Sequence, residues 1–585
     1  MKKVVAESLG AVHTLHLENE EKENKNKELT VKNEKNISNL YKCQQVQDPN
    51  KKLTVFIKNR ETGITLIALV VTIIVLLILA GVSISMLTGS NGILTQANKA
   101  KELTEISGEK EGMETAVLSI KVTNSDITED NLKTALDNQF GANKTTIEDN
   151  KDGSYTVKMN NESKREYTVE DDGSLLEGTY SKWDGTSSTE PTNKTSNEIH
   201  IYTAPEIKWL ADQVNNQGNT FEGYTIYLEN NLDLGGRAEN GNWETTANES
   251  VNWTAIGKIK ANPLKATFEG NNHIIKDVYV NSTENFNGIF GNSNSISNLT
   301  IKNSYIKGAR CNGAIVGACR SGAIENCHNI NTTVIGTDRT CGGIVGQANA
   351  EIKNCSNSGK ITLLSSTDTN EYGMVGGITG HTDEKISGCY NTGKITGENY
   401  TGGVAGYSFT NSNIENCYNT GEITGENYTG GVVGAAASIV TKCYNIGKVI
   451  GEGNGGTGGI VGTCITKIPQ DISLCYNSGT VQGVRAVGGI SGYLGAQGYA
   501  GKETKCYNKG NVISTTNSEE KGEIVGVMAN DANVTNCYFY TNDDSRYGVG
   551  AIKSGGSIET QRAGAKRITN NFNSLDEFIT WVEQQ

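Results

Sequence analysis

The residues most able to do chemistry in this chain are its cysteines, and they keep a fixed phase. Cys327, Cys355, Cys389, Cys417, Cys443, Cys475, Cys506 and Cys537 follow one another at gaps of 28, 34, 28, 26, 32, 31 and 31. Thiols can ligate metals, form disulfides or act as nucleophiles. No Cys-x-x-Cys or Cys/His spacing fits a zinc site. Twelve of the 13 cysteines lie in or beside this array, one per unit rather than in compact pairs. That phase suits buried free thiols acting as small apolar residues. Disulfides between neighbouring units are the alternative, because stacked Cα atoms fall within bridging range.

A tyrosine follows the cysteine at Tyr390, Tyr418, Tyr444, Tyr476 and Tyr507. Strand side chains alternate faces, so an inward cysteine turns the tyrosine outward. The result is a candidate ligand-binding stripe of rings ~5 Å apart, suited to sugar rings or another protein surface. The opposite arrangement, tyrosine inward and cysteine outward, satisfies the same alternation. Polysaccharide cleavage requires paired carboxylates, often with calcium or a positioned Arg or Lys. Here Glu325, Glu351, Glu384, Glu398, Glu415, Glu422 and Glu426 are single and scattered in phase. Asp543-Asp544 with Arg546 is the one tight cluster and reads as a solvated loop. His273 and His328 are isolated, and no Gly-x-Ser-x-Gly elbow, phosphate loop or dinucleotide fingerprint occurs. No catalytic group, metal or cofactor is expected.

The elements that position these residues repeat with them, from about 287 to 540. A clear copy runs from Gly402-Gly403-Val404-Ala405-Gly406 to Ile414-Glu415-Asn416-Cys417-Tyr418-Asn419. A fixed motif at drifting spacing is the mark of a solenoid, with insertions falling in loops. Each unit holds three β-prone runs punctuated by Gly or Asn, which predicts a parallel β-helix with three strands per turn. Successive turns lie ~4.8 Å apart, so like stacks over like. Asn357, Asn391, Asn419, Asn445, Asn477 and Asn508 then form a ladder whose amides bond to the turns above and below. Ile414 and Cys417 cannot both face inward along one straight strand, so a bend is expected at Asn416.

At 585 residues, two or more units are expected. Net charge is −13 with no long basic run in the repeats, which argues against a nucleic-acid partner. Residues 1–62 form a polar, disordered leader. Residues 63–88 are uncharged and long enough to cross a membrane as a helix, embedding 64–87. Lys51, Lys52, Lys58 and Arg60 precede them, which puts the N-terminus in the cytoplasm and the rest outside. Residues 89–182 read as a helical stalk and a small α+β domain, with a Thr-capped helix at 127–136 and hairpins at Asp152-Gly153 and Asp172-Gly173. A linker at 183–197 follows, then an N-terminal cap and first coils (198–286), the repeats (287–540) and a C-terminal cap (541–585). The helix bearing Leu575, Phe578, Ile579 and Trp581 is expected to close that end.

Two resemblances add to this reading. The basic leader ending at Gly63, followed by Ile64-Thr65-Leu66-Ile67 and an apolar helix, resembles the anchoring segment of type IV prepilins. It implies cleavage between Gly63 and Ile64 by a prepilin peptidase, a pilin-like head at 89–182 and a filament-subunit alternative. Ala68 stands where that family usually has glutamate, and the leader is longer than usual. The alternative for this segment is a plain signal anchor. The repeats, with Gly-Gly-Ile-Val-Gly at 342–346 and 458–462, resemble the GLUG motif of bacterial surface proteins. That motif is common in adhesins and also occurs in an immunoglobulin A peptidase. The latter's His-Glu-x-x-His is absent, since the histidines stand at 13, 16, 200, 273, 328 and 381. The expectation is a membrane-anchored surface β-solenoid, mainly β with helical caps, acting as an adhesin or display protein toward glycans or proteins. A polysaccharide-cleaving β-helix enzyme is the alternative.

Overall fold

The computed structural model describes residues 93–585 apart from 124, 151–152, 238–242, 244–246, 365–372, 411, 466–469, 496–500, 517–518, 530 and 554–556. The leader, the apolar stretch and the junction of Gly63 with Ile64 lie outside the described residues. Among the described residues no helix is long and apolar enough to cross a membrane. Residues 107–585 form one compact unit.

Helix α1 (Ile93–Val122) turns Met113, Val117 and Ile120 into a core shared with Leu132 and Leu136 of α2 (Glu129–Phe140). Thr128 caps α2 by accepting from the Asn131 N–H. Strands Thr145–Asp149, Tyr155–Met159, Glu166–Val169 and Leu175–Glu177 form an antiparallel sheet in sequential order. Lys302, buried in the coils, ties this unit down through Asp172 at 3.3 Å and Glu170 at 3.8 Å. The run 183–197 begins at the edge of the coils. Ser181–Lys182 already pairs with Leu232–Asp233 as a rung of the solenoid, and Trp183 is buried edge-on to Trp253 at 5.6 Å.

Each turn carries five short strands, not three. From Ile414 they are Ile414–Glu415, Tyr418–Asn419, Ile423–Gly425, Thr429–Gly430 and Val433–Ala436, before Val440–Thr441 opens the next turn. Each pairs in parallel one turn on: Ile414 with Val440, Tyr418 with Tyr444, Ile423 with Val449, Thr429 with Thr457, Val433 with Val461. Parallel sheets of 13, 9, 10, 12 and 8 strands result. The extra breaks have local causes. The residue before the ladder cysteine is left-handed, with φ 54° at Asn416 and 53° at Lys442 and Leu474. This corner splits one run into two strands and lets Ile414 and Cys417 both point inward, fully buried. The glycine pair makes the other break: a Cβ on Gly431 would stand 2.1 Å from the Gly459 carbonyl oxygen.

Files of like residues fill the lumen. Ile352, Ile386, Ile414, Val440 and Ile472 stack in register. The described cysteines are all free and buried, and burial pushes Cys389, Cys443 and Cys506 well above the ordinary thiol range. Beside them run the asparagines, starting one turn earlier than expected. Asn329 donates to Asn357 at 2.7 Å, Asn391 to Asn419 and Asn419 to Asn445 at 2.8 Å, and Asn477 to Asn508 at 2.8 Å. From Asn357 to Asn508 each amide is also locked to its own turn. The Asn419 oxygen accepts from the Gly421 N–H at 3.2 Å while its NH2 donates to the Gly421 carbonyl at 2.9 Å.

Helix α3 (Ala204–Gln217), opened by a Thr203/Glu206 capping box, buries Ile207, Leu210, Ala211 and Val214 in the core of the first coils. At the other end α4 (Ile558–Gly564) meets the open sheet edge: the Gln561 side chain accepts from the Val534 N–H at 3.2 Å. Helix α5 (Leu575–Val582), expected to close that end, lies instead along the flank of the last turns, with Phe578 and Trp581 on Tyr507 and Tyr538. Its apolar face finds an apolar surface there.

Replacing Asn419 with alanine strands a buried donor on Asn391 and a buried acceptor on Asn445. Chemical denaturation should show a loss of about 2–4 kcal/mol. The exposed neighbour Lys442, changed to alanine, should stay within about 0.5 kcal/mol of the parent.

Candidate functional site

The tyrosines that follow the cysteines stand in a file outside the asparagine strands. Tyr390 and Tyr418 have ring centroids 4.8 Å apart with planes 1° from parallel, and Tyr418 and Tyr444 are 4.6 Å apart at 5°. Rings so close and so parallel overlap face to face with an offset. Their faces are therefore turned to one another, and solvent meets edges and hydroxyls. Sugar stacking on exposed faces, one of the two uses expected of this stripe, does not match that geometry at Tyr418.

The stripe is also shorter than its sequence. Tyr390, Tyr418 and Tyr444 are half-buried, but Tyr476 and Tyr507 are 1% and 0% exposed. The chain itself roofs them. The Tyr476 hydroxyl donates to the Phe572 carbonyl and that of Tyr507 to the Asn570 carbonyl, each at 3.0 Å. Phe578 stacks on Tyr507 at 5.3 Å. Burial raises the phenols beside this roof, Tyr444 to about 12.

A second aromatic array escaped the sequence reading. Tyr400 and Tyr428 stand one turn apart at 5.5 Å and 23°. Tyr407 meets Tyr400 edge-on at 5.6 Å and 64°, His381 lies 5.5 Å from Tyr407, and Phe409 6.3 Å from it. Tyr407 and Phe409 are tilted at 36°, and Phe409 is 50% exposed. The signal was the repeated Glu-Asn-Tyr-Thr-Gly-Gly at 398–403 and 426–431, overlooked because only the residue after each cysteine was tracked.

A cleft of roughly 710 Å³ opens at the C-terminal end, lined by Glu519, Lys521, Glu523, Asp543, Arg546 and Arg562 among others. The acid cluster read as a solvated loop is tied into it. Glu523 is 2% exposed, pairs with Arg546 at 2.8 Å, and takes the last ladder amide, Asn508, at 3.3 Å. Burial raises the Glu523 carboxyl despite the guanidinium. Asp543 is lowered, first by the Ser545 hydroxyl and N–H and then by Arg546. Asp544 pairs with Arg567. Glu523 stands where other turns have the second glycine of the pair, as at Gly489. Of the histidines named earlier, His328 bonds the Ser356 hydroxyl at 2.8 Å and His273 lies near Asn231; neither joins a catalytic group.

Residues 340–362 and 397–424 match the family model of the GLUG motif, each stretch covering about one turn. A solved structure from Bacteroides ovatus, provisionally named an immunoglobulin A1 protease, is 18% identical, with 67% of this chain and 90% of that one aligned at a TM-score of 0.28. That likeness is too loose to carry an argument about activity. None of the curated protein sequences matches the chain.

Tyr444 gives a pH prediction with a definite sign. Its phenol stays protonated in the fold after an unfolded tyrosine, at about 10, has ionised, so the folded state holds the extra proton. Stability should be intact below about pH 10 and fall as pH rises toward about 12. Unfolding midpoints taken across that interval should decline less steeply for Tyr444→Phe.

Proposed function

We propose that this solenoid of GLUG-motif turns is a non-enzymatic binding and display protein of the cell surface. Its anchor is the uncharged segment 64–87, and the basic residues before it favour a cytoplasmic N-terminus with the coils outside. Cleavage between Gly63 and Ile64 by a prepilin peptidase would shed the leader, an event that mass spectrometry of the mature chain detects.

The observation that carries the binding role is the pair of aromatic arrays left partly open on different sheets of one rod. The group of Tyr400, Tyr407, Phe409 and Tyr428, with Phe409 half-exposed, offers an aromatic surface to a carbohydrate. The stacked file of Tyr390, Tyr418 and Tyr444 offers a row of hydroxyls and ring edges, better matched to a protein surface. A glycan array probed with the full chain should show binding that Tyr407→Ala with Phe409→Ala weakens at least about tenfold. Tyr418→Ala with Tyr444→Ala should instead lower cell adhesion. Unchanged glycan binding and adhesion in both double variants would defeat this reading.

A polysaccharide-cleaving activity is the second reading, favoured by the cleft in which Glu523 and Asp543 are shifted in opposite directions, as acid and base partners are. Release of reducing ends from a polysaccharide panel, abolished by Glu523→Gln and by Asp543→Asn, would establish it. No release by the parent chain leaves binding as the function.

A further inference from the structure

One rung of the lumen breaks its own pattern. In the file of Ile414, Val440 and Ile472 the next residue in register is Glu503, followed by Val534. Glu503 is 0% exposed. Across from it, Ser491 stands between Val461 and Val525 in a file that also holds Val433, Ala405 and, further back, Thr379. The Ser491 hydroxyl donates to Glu503 Oε2 at 2.6 Å. An acid has thus entered a column of isoleucine and valine, and a hydroxyl between two valines bonds to it.

The remaining carboxylate oxygen, Oε1, has no hydrogen-bond partner. Glu503 shares this part of the lumen with two rungs of the thiol file, and the ligand atoms of Glu503, Cys506 and Cys537 all lie within 4.8 Å of one another. A buried carboxylate with one oxygen unpartnered and two thiols nearby is a poor arrangement without a cation, and a good one with it.

We propose that Glu503, Cys506 and Cys537 bind a single divalent cation of the zinc class inside the last turns of the solenoid. Zinc accepts mixed sulfur and oxygen ligands at about 2.3 Å and 2.0–2.2 Å, which places such atoms ~3.5–3.8 Å apart. Side-chain rotations of about an ångström close the site. Ser491 orients the carboxylate from behind, as outer partners of metal ligands do. The ion staples adjacent turns together just where the asparagine ladder runs out at Asn508, and it is loaded as the coils close, since its ligands are sealed from solvent.

The test is metal content of the full chain produced with added zinc and dialysed against a weak chelator. The parent should retain one zinc per chain by elemental mass spectrometry, and cobalt in its place should show thiolate charge-transfer absorption. Glu503→Ile restores the residue type of the neighbouring rungs, so its coils should fold by circular dichroism. It should hold zinc at least about tenfold more weakly. Cys506→Ser should abolish the charge-transfer band. Cys355→Ala, in the same thiol file but far from Glu503, should keep both signals. A parent chain that folds without zinc in zinc-supplemented medium, or a Glu503→Ile variant as loaded as the parent, would overturn the site.

Discussion

The structure depends on an amide bonded in four directions. Asn357, Asn391 and Asn419 each give and take one hydrogen bond within their own turn and bond once to each neighbouring turn, all inside a sealed corner. No displaced register preserves those bonds, because the side-chain period of a strand is two and a slip by one residue turns every side chain over. With the asparagines fixed, isoleucine must sit over isoleucine and thiol over thiol. The insertions that make the spacing drift from 26 to 34 residues are absorbed in loops, without disturbing the file.

Stacking like over like acts differently inside and outside. In the lumen it packs identical shapes and serves burial. On the surface it would set like charges ~4.8 Å apart, and at several places the sequence avoids this by changing sign between turns. Lys353 stands over Glu325 and Lys394 beside Glu422, each at 2.7 Å, and Arg485 meets Glu520 at 2.8 Å. Such exposed pairs add little stability singly. They remove a repulsion that in-register repeats would otherwise carry. The tyrosine file takes the other course: its rings cover each other's faces and become part of the scaffold as much as of the surface.

What could be read from the sequence was whatever repeats in residue type. The cysteine phase and the asparagine file led directly to a parallel solenoid and to inward thiols. The number of strands per turn could not be read, because the corner before the cysteine is defined by backbone angle and is occupied by Asn416, Lys442, Leu474 and Lys505 alike. The roof over Tyr476 and Tyr507 was hidden for another reason: the residues that form it lie about 60 to 100 positions away. Trp183, at the start of the polar run 183–197, was a sign of burial that the composition of the run obscured. Glu503 was within reach. Aligning the units by their cysteines puts it in a column of isoleucine and valine, where an acid needs an explanation; a search for conventional zinc spacings passed over it.

The ladder also has a sense along the rod. Every NH2 points to the following turn, and the bonds to glycine fix that choice, so the amide dipoles add along the axis. The run opens at Asn329, whose oxygen has no partner, and ends at Asn508, whose amide meets the Glu523 carboxylate backed by Arg546. An anion at the positive pole is the arrangement a helix adopts at its N-terminus. The two ends are therefore electrically unlike: further asparagine turns could prolong the series at the Asn329 pole, whereas at the other the glutamate brings it to a halt.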